Sequence, residues 1–325
     1  LKREDISREI APIYNEEMKI ADIPMVFHEI ETNGIGYLDL MFDLSDVPEK
    51  DLPMVGLLIG FKDNINFIRY SNPLEAFSHA NWTMAHFAKI FSDPEIYRYI
   101  MNTLIISVMK IVFLFPLPVF LAVMIAEVKN KAFSTFVQSM VFLPHFLSWV
   151  VITGIFKNLL AADGPINSLF GISYNWFAEP GFFRWLVVIL SGWKEIGYSS
   201  IVYISAIMAI DANLYEAADL DGAGKLKQAF SITIPMIMPT IIVMLIIRVG
   251  YLMDAGFDQV YTMISSTTRK TGEIIGTYVY RISLGENAGN YGLSTAVGFF
   301  NGIISLILIV VTNKISKKVT SEGIW

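Results

Sequence analysis

Five long runs of apolar residues divide this chain, at about 102–126, 137–160, 183–210, 234–253 and 296–313. A helix needs roughly 20 apolar residues to cross the hydrocarbon core of a bilayer, and each run is of that order. The first contains Pro116 and Pro118. Neighbouring helices can re-satisfy the carbonyls that such prolines free, so it is still predicted to be a span. Upstream the pattern changes. Over residues 1–50 a charge falls every few positions, and the apolar run LPMVGLLIGF at 52–61 is too short to cross alone. Residues 1–62 therefore form an acidic N-terminal segment that reads equally as a partial first span, a surface helix or a soluble lobe. Residues 63–101 mix aromatic and polar side chains and are predicted to be an extramembrane lobe. Residues 102–325 form the membrane core. Asn81-Trp82-Thr83 fits a glycosylation pattern and is read as a turn.

Composition agrees with the spans. Hydrophobic residues make up 54% of the 325 and charged residues 17%, with a mean hydropathy of +0.52, against about 25% charged in an ordinary soluble domain. There is no cysteine, which excludes a disulfide framework and a thiolate metal site. The net charge is −6. Residues 1–50 hold 12 acidic and 5 basic side chains, so the excess of acid lies in the head and the apolar body is almost neutral. No basic tract for nucleic acid is present.

Between the third and fourth runs lies EAADLDGAGKLKQAFSITIP, residues 216–235, within a polar loop at 211–235. Asn213 followed by Glu216 predicts a helix start close to a capping box. Ala217, Ala218, Asp221 and Gly222 share a face nearly bare of side chains. Gly222 and Gly224 weaken the helix, Ala223 lies between them, and Pro235 marks the approach to the next run. The geometry predicted is a helix–turn–helix on the membrane surface, offered to a partner. DGAGK is not a phosphate loop, because Asp219 and Leu226 stand where the Walker pattern needs Gly and Ser or Thr. An ordinary solvated loop stays open on these residues alone.

The EAA, the DGAG, Phe230, Ile232 and Ile234-Pro235 resemble the EAA loop of bacterial ABC importer permeases. FLPHFLSWVV (142–151), WKEIGYSSIVYISA (193–206), GFDQVY (256–261), TYVYRISL (277–284), NYGLSTAVGFF (290–300) and the terminal GIW resemble the oligosaccharide and polysaccharide uptake group of type I importers. MVGLLIGFKDN at 54–64 is also similar. Two departures stand out: Ile234 replaces the commoner Leu before the proline, and no apolar first span is visible in residues 1–53.

The resemblance implies an all-α integral membrane protein, a type I permease bundle of about five to six transmembrane helices in the bacterial inner membrane. It implies an ATPase-coupling role for Glu216, Ala217, Ala218, Asp221, Gly222, Ala223, Gly224 and Pro235. The implied partners are a separate ATPase dimer carrying ATP-Mg, a second related permease, a periplasmic or extracellular substrate-binding protein, and membrane lipid. This chain is then a transport subunit with no catalytic residue, metal or cofactor of its own. A permease for a peptide, polyamine or phosphate is the alternative, with a non-transport membrane protein behind it.

Placing the EAA loop inside puts Lys129, Lys131, Lys314, Lys317 and Lys318 inside too, as the positive-inside rule asks. The loop at 161–182 lacks Lys and Arg and is predicted to lie outside. The outer loop at 261–290 carries Arg269, Lys270 and Arg281 against the rule. Charged groups within spans are costly and point to function by default. On that ground Lys110, Lys194, Glu195 and Arg248 are substrate-path candidates, joined by Asp258 and Gln259 at an outer end. Trp193, Tyr198 and Asn301 are added because sugar rings stack on aromatic faces and hydroxyls want amides. His145 is read as a packing residue. Three basic groups against one acid suggest an anionic cargo, so a uronate oligosaccharide such as an alginate fragment is the expected sugar.

Overall fold

The computed structural model describes residues 58–63, 79–285 and 289–320. A two-residue strand β1 (Lys62–Asp63) pairs antiparallel with β2 (Asn81–Trp82), Lys62 opposite Trp82. The rest of the described chain is helical. A short helix α1 (Ala85–Ser92) leads into α2 (Pro94–Leu114), whose start is fixed by Asp93 accepting a hydrogen bond from the Glu95 amide, with Pro94 in the first turn. A short break at Phe115 precedes α3 (Pro116–Ala126), which begins on the prolines the sequence placed mid-span. Together Pro94–Ala126 form one long apolar helix. The first span thus starts eight residues before the sequence pattern does. Glu95 and Arg98 disguised that turn, yet they pair with each other at 3.1 Å while Ile96 and Tyr99 on the same turns are buried.

The second run bends. Helix α4 (Lys131–Phe142), capped by Asn130, passes through a tight turn at Leu143–Phe146 into α5 (Trp149–Leu159), capped by Ser148, and the two axes differ by 99°. A short α6 (Pro165–Phe170) ends on Gly171 in the left-handed conformation. The long α7 (Pro180–Met208) follows, then α8 (Ala212–Leu220) at 73° to it. Helix α8 starts on Asp211, whose side chain accepts from the Asn213 amide, so the cap is Asp211 and not Asn213. The four-residue α9 (Lys225–Gln228) runs through a wider π turn at Ala229–Thr233 to α10 (Met238–Gly250). Pro235 has no N–H to give to the carbonyl ladder, which fits a widened turn just before it. Short helices α11 (Phe257–Met263), α12 (Arg269–Gly272) and α13 (Ile275–Ser283) precede the last, α14 (Tyr291–Thr320). Among the described residues two helices are long and apolar enough to span, or up to five if each bent pair is one span.

Helix α7 is central. Phe183, Leu186, Val187 and Leu190 pack with Val260, Met263 and Ile274, while Tyr203 and Ile207 pack on Ala122 and Ile237. Helix α7 lies tight against α4 at Gly197, where a Cβ would overlap the Val141 carbonyl. Backbone cannot yield as a side-chain tip can. Gly197→Leu is therefore expected to force the helices apart and eliminate monodisperse protein after detergent extraction; a variant that elutes and melts like the parent would refute this.

Candidate functional site

Among the described residues, two adjoining cavities lie between α2, α3, α7 and α10. The larger, about 270 Å³, is walled by Leu114, Pro118, Glu195, Tyr203, Arg248 and Tyr251. The smaller, about 110 Å³, shares Glu195, Arg248 and Tyr251 and adds Ser107, Lys110 and Asp254. Glu195 and Arg248 face each other at 3.9 Å, their side chains 34% and 38% exposed. That distance is an ion pair without a hydrogen bond.

Lys110 reaches the smaller cavity with its amine already held. Its Nζ donates to the Ala255 carbonyl at 2.9 Å and to Gln259 Oε1 at 2.8 Å. Gln259, fully buried, also accepts from Ser191 at 2.6 Å and donates to the Val187 carbonyl at 2.7 Å. The turn between α10 and α11 aims that Ala255 carbonyl by taking Ala255 and Gly256 through positive φ, 52° and 85°. Gly256 is required twice over, since a Cβ there would sit 2.8 Å from Lys110 Nζ.

Lys194 faces elsewhere. Its Nζ donates to the carbonyls of His145 and Leu147 at 2.5 and 2.6 Å, closing the α4–α5 break. Tyr198 stacks flat on the His145 ring at 3.7 Å, and Trp193 meets Phe156 edge-on at 5.3 Å. These three residues clamp the bent second run to α7 and do not line the two cavities. Asp258 is exposed on α11. Asn301 lies on α14 with a buried Oδ1 that has no hydrogen-bond partner. Lys110, Glu195, Arg248 and Gln259 are thus brought together, and Trp193, Lys194, Tyr198, Asp258 and Asn301 are apart from them. Ser191 and Tyr251 escaped sequence reasoning. A helical spacing of four from Glu195 and three from Arg248 was the signal that marks them.

The loop at 211–235 is a built structure. The Asp221 amide bonds the Ala217 carbonyl and the Ala223 amide the Ala218 carbonyl, with Gly222 left-handed at φ 73°. Buried Gln228 donates to Asp219 at 2.5 Å and to the Ala223 carbonyl at 2.9 Å, and accepts from Lys225 at 2.9 Å. Lys225 also lies 3.8 Å from Glu127 at the end of α3. Glu216, Ala217, Asp221, Gly222, Gly224 and Pro235 are exposed, and Ala218 and Ala223 are half-buried. Beside them Leu220, Leu226 and Phe230 are 90%, 78% and 70% exposed. These large apolar side chains, so exposed on a loop rich in polar residues, form a surface suited to a protein partner.

A bent-helix bundle with an ion pair between two cavities and a hydrogen-bonded loop carrying exposed apolar side chains fits a membrane transport component. The family model for the binding-protein-dependent transport system inner membrane component matches residues 114–321, and the chain belongs to that family. A second model, of a peptidase-associated region, matches residues 1–64, the acidic head. The polygalacturonan/rhamnogalacturonan transport system permease protein YteP of Bacillus subtilis (strain 168) is 37% identical over 282 residues, 85% of each chain. A solved bacterial ABC transporter involved in the import of the acidic polysaccharide alginate has a chain 34% identical, with a TM-score of 0.75 over 83% of this chain and 90% of that one. In a second structure, a bacterial alginate ABC transporter in complex with an alginate pentasaccharide-bound periplasmic protein, the match is 35% identical with a TM-score of 0.74, covering 84% and 90%. The protein is therefore an all-α, multi-pass permease of an ABC importer.

Proposed function

We propose that this permease moves an acidic oligosaccharide inward across the bacterial inner membrane. A separate ATPase dimer supplies ATP-Mg chemistry and seats on the 211–235 loop. A second related permease completes the bundle, and an external binding protein delivers the sugar. The observation that carries the reading is the Glu195–Arg248–Tyr251 wall common to both central cavities. A guanidinium held at 3.9 Å from its carboxylate keeps hydrogen-bonding capacity for a passing carboxylate, and the Tyr251 ring offers a face to a pyranose. Arg248 is the cation left for the cargo, because Lys110 and Lys194 commit their amines to acceptors of their own chain. The names of the relatives support the cargo class, since polygalacturonan and alginate are both chains of uronate sugars.

The test compares neutral and uronate oligosaccharides of equal length as stimulators of ATP hydrolysis in the assembled complex with its binding protein. Stimulation by the uronate and little by the neutral sugar is expected. Stimulation by the neutral sugar alone would reject the acidic cargo, and stimulation only by peptides, polyamines or phosphate would reject a sugar altogether.

A further inference from the structure

Arg269, Lys270 and Arg281 run against the positive-inside rule if the segment from 261 to 290 lies outside, and the central seam gives them no role. The structure shows how two of them are arranged. Glu273, its side chain 3% exposed, takes Arg281 in a two-pronged pair, Nε to Oε1 at 2.8 Å and Nη2 to Oε2 at 3.3 Å. Arg281 also donates to the Tyr99 hydroxyl at 3.4 Å. Burial opposes the Arg281 charge, and the bonded Glu273 carboxylate outweighs it, so the guanidinium pKa stands above its usual value. That pair is a folding device for the outer segment.

Arg269 is different. It approaches the same carboxylate only to 4.0 Å, beyond hydrogen-bond range, and its side chain is 46% exposed. Two guanidiniums therefore share one carboxylate, and a positive charge is left over at Arg269. Glu95, the nearby acid, reaches the cluster only through Tyr99 and is paired with Arg98 at 3.1 Å. Arg269 opens on a cavity of about 140 Å³ whose other walls include Tyr261 and Tyr280. The two rings meet edge to face at 4.9 Å, and Tyr261 is backed by a stack on Phe257 at 5.5 Å. Phe257 and Tyr261 occupy one face of α11, and Gln259, which holds Lys110, points to the other. The cavity is thus a separate room across α11 from the central seam.

We infer that this cavity is an outer subsite for one anionic sugar unit, its carboxylate on Arg269 and its pyranose face against Tyr261 and Tyr280. A rigid aromatic wall beside an underused guanidinium suits a ring that is apolar on its faces and charged at its rim. Glu273 holds Arg281 back, so a single carboxylate neutralises the site. This subsite rests on the acidic-sugar reading above.

The experiment uses the complete complex in proteoliposomes with its binding protein and radiolabelled trigalacturonate. Arg269→Gln is expected to lower initial uptake about tenfold, the scale of one charge-assisted hydrogen bond, with basal ATP hydrolysis unchanged. Arg269→Lys should retain at least half the uptake, and Tyr280→Ala should lose as much as Arg269→Gln. Uptake by Arg269→Gln equal to the parent overturns the subsite while leaving the acidic cargo intact. Equal loss of uptake and basal hydrolysis assigns Arg269 to loop folding and also overturns it. A parent complex that takes up no trigalacturonate rejects the cargo and the subsite together.

Discussion

Gly222→Leu is expected to abolish substrate-stimulated ATP hydrolysis and transport in the assembled complex while the helices stay inserted. Glu216→Lys should do the same. Gly222 sits at φ 73°, where a residue with a Cβ costs about 1–2 kcal/mol. None of the described residues lies within 4 Å of an added Cβ, so the new side chain projects into the space a partner would use. The helix on one side keeps its Asp211 cap, and the turn keeps its Gln228 bonds to Asp219 and Ala223. The loss is therefore one of contact and not of folding. Gly222→Ala carries the backbone cost with far less bulk and should retain partial stimulation. Purified complexes of each variant, assayed for ATP hydrolysis with and without loaded binding protein, decide the matter. Parental stimulation in Gly222→Leu would mean that the ATPase does not seat here.

What the sequence made legible was the set of apolar runs and the small-residue patch, because both depend on local composition. The five runs correspond to the two long helices and three bent pairs. Their ends were less legible where a local charge has a local partner. Glu95 and Arg98 are exposed and pair across one turn of a helix whose other face buries Ile96 and Tyr99. The sequence pattern pointed to Asn213 as the cap, and the structure uses Asp211, two residues earlier. The side-chain roles that stayed hidden depend on carbonyls freed far away in sequence. Lys194 and Glu195 are neighbours, yet the first serves a bend some 50 residues earlier and the second faces Arg248. No periodicity encodes where a bent helix exposes its backbone. The same holds for Lys110, whose acceptor at Ala255 exists only because the chain passes through two positive-φ residues there.

That buried amine gives the second large effect. Gln259→Leu removes one of the two acceptors of Lys110, the acceptor of Ser191 and the donor to Val187 in a single step. Each buried polar group left without its partner costs about 1–3 kcal/mol, more where the group is charged, and this one change strands three of them. Gln259→Leu should therefore lower the unfolding midpoint of the complex in nanodiscs by about 10 °C or more. Lys110→Met in the same chain removes the stranded amine, and replacing both partners by apolar groups is often close to neutral. The double variant is expected to recover at least half of the lost stability. Gln259→Glu keeps an acceptor for Lys110 and Ser191 but sets a carboxylate oxygen against the Val187 carbonyl, so its midpoint should fall between the parent and Gln259→Leu. A Gln259→Leu midpoint equal to the parent, or a double variant no better than the single, would show that the network does not hold α2 to α7 and α11. Transport by the recovered double variant then separates support from passage: if it carries sugar at the parental rate, Lys110 holds the seam together and the moving cargo meets Arg248 alone.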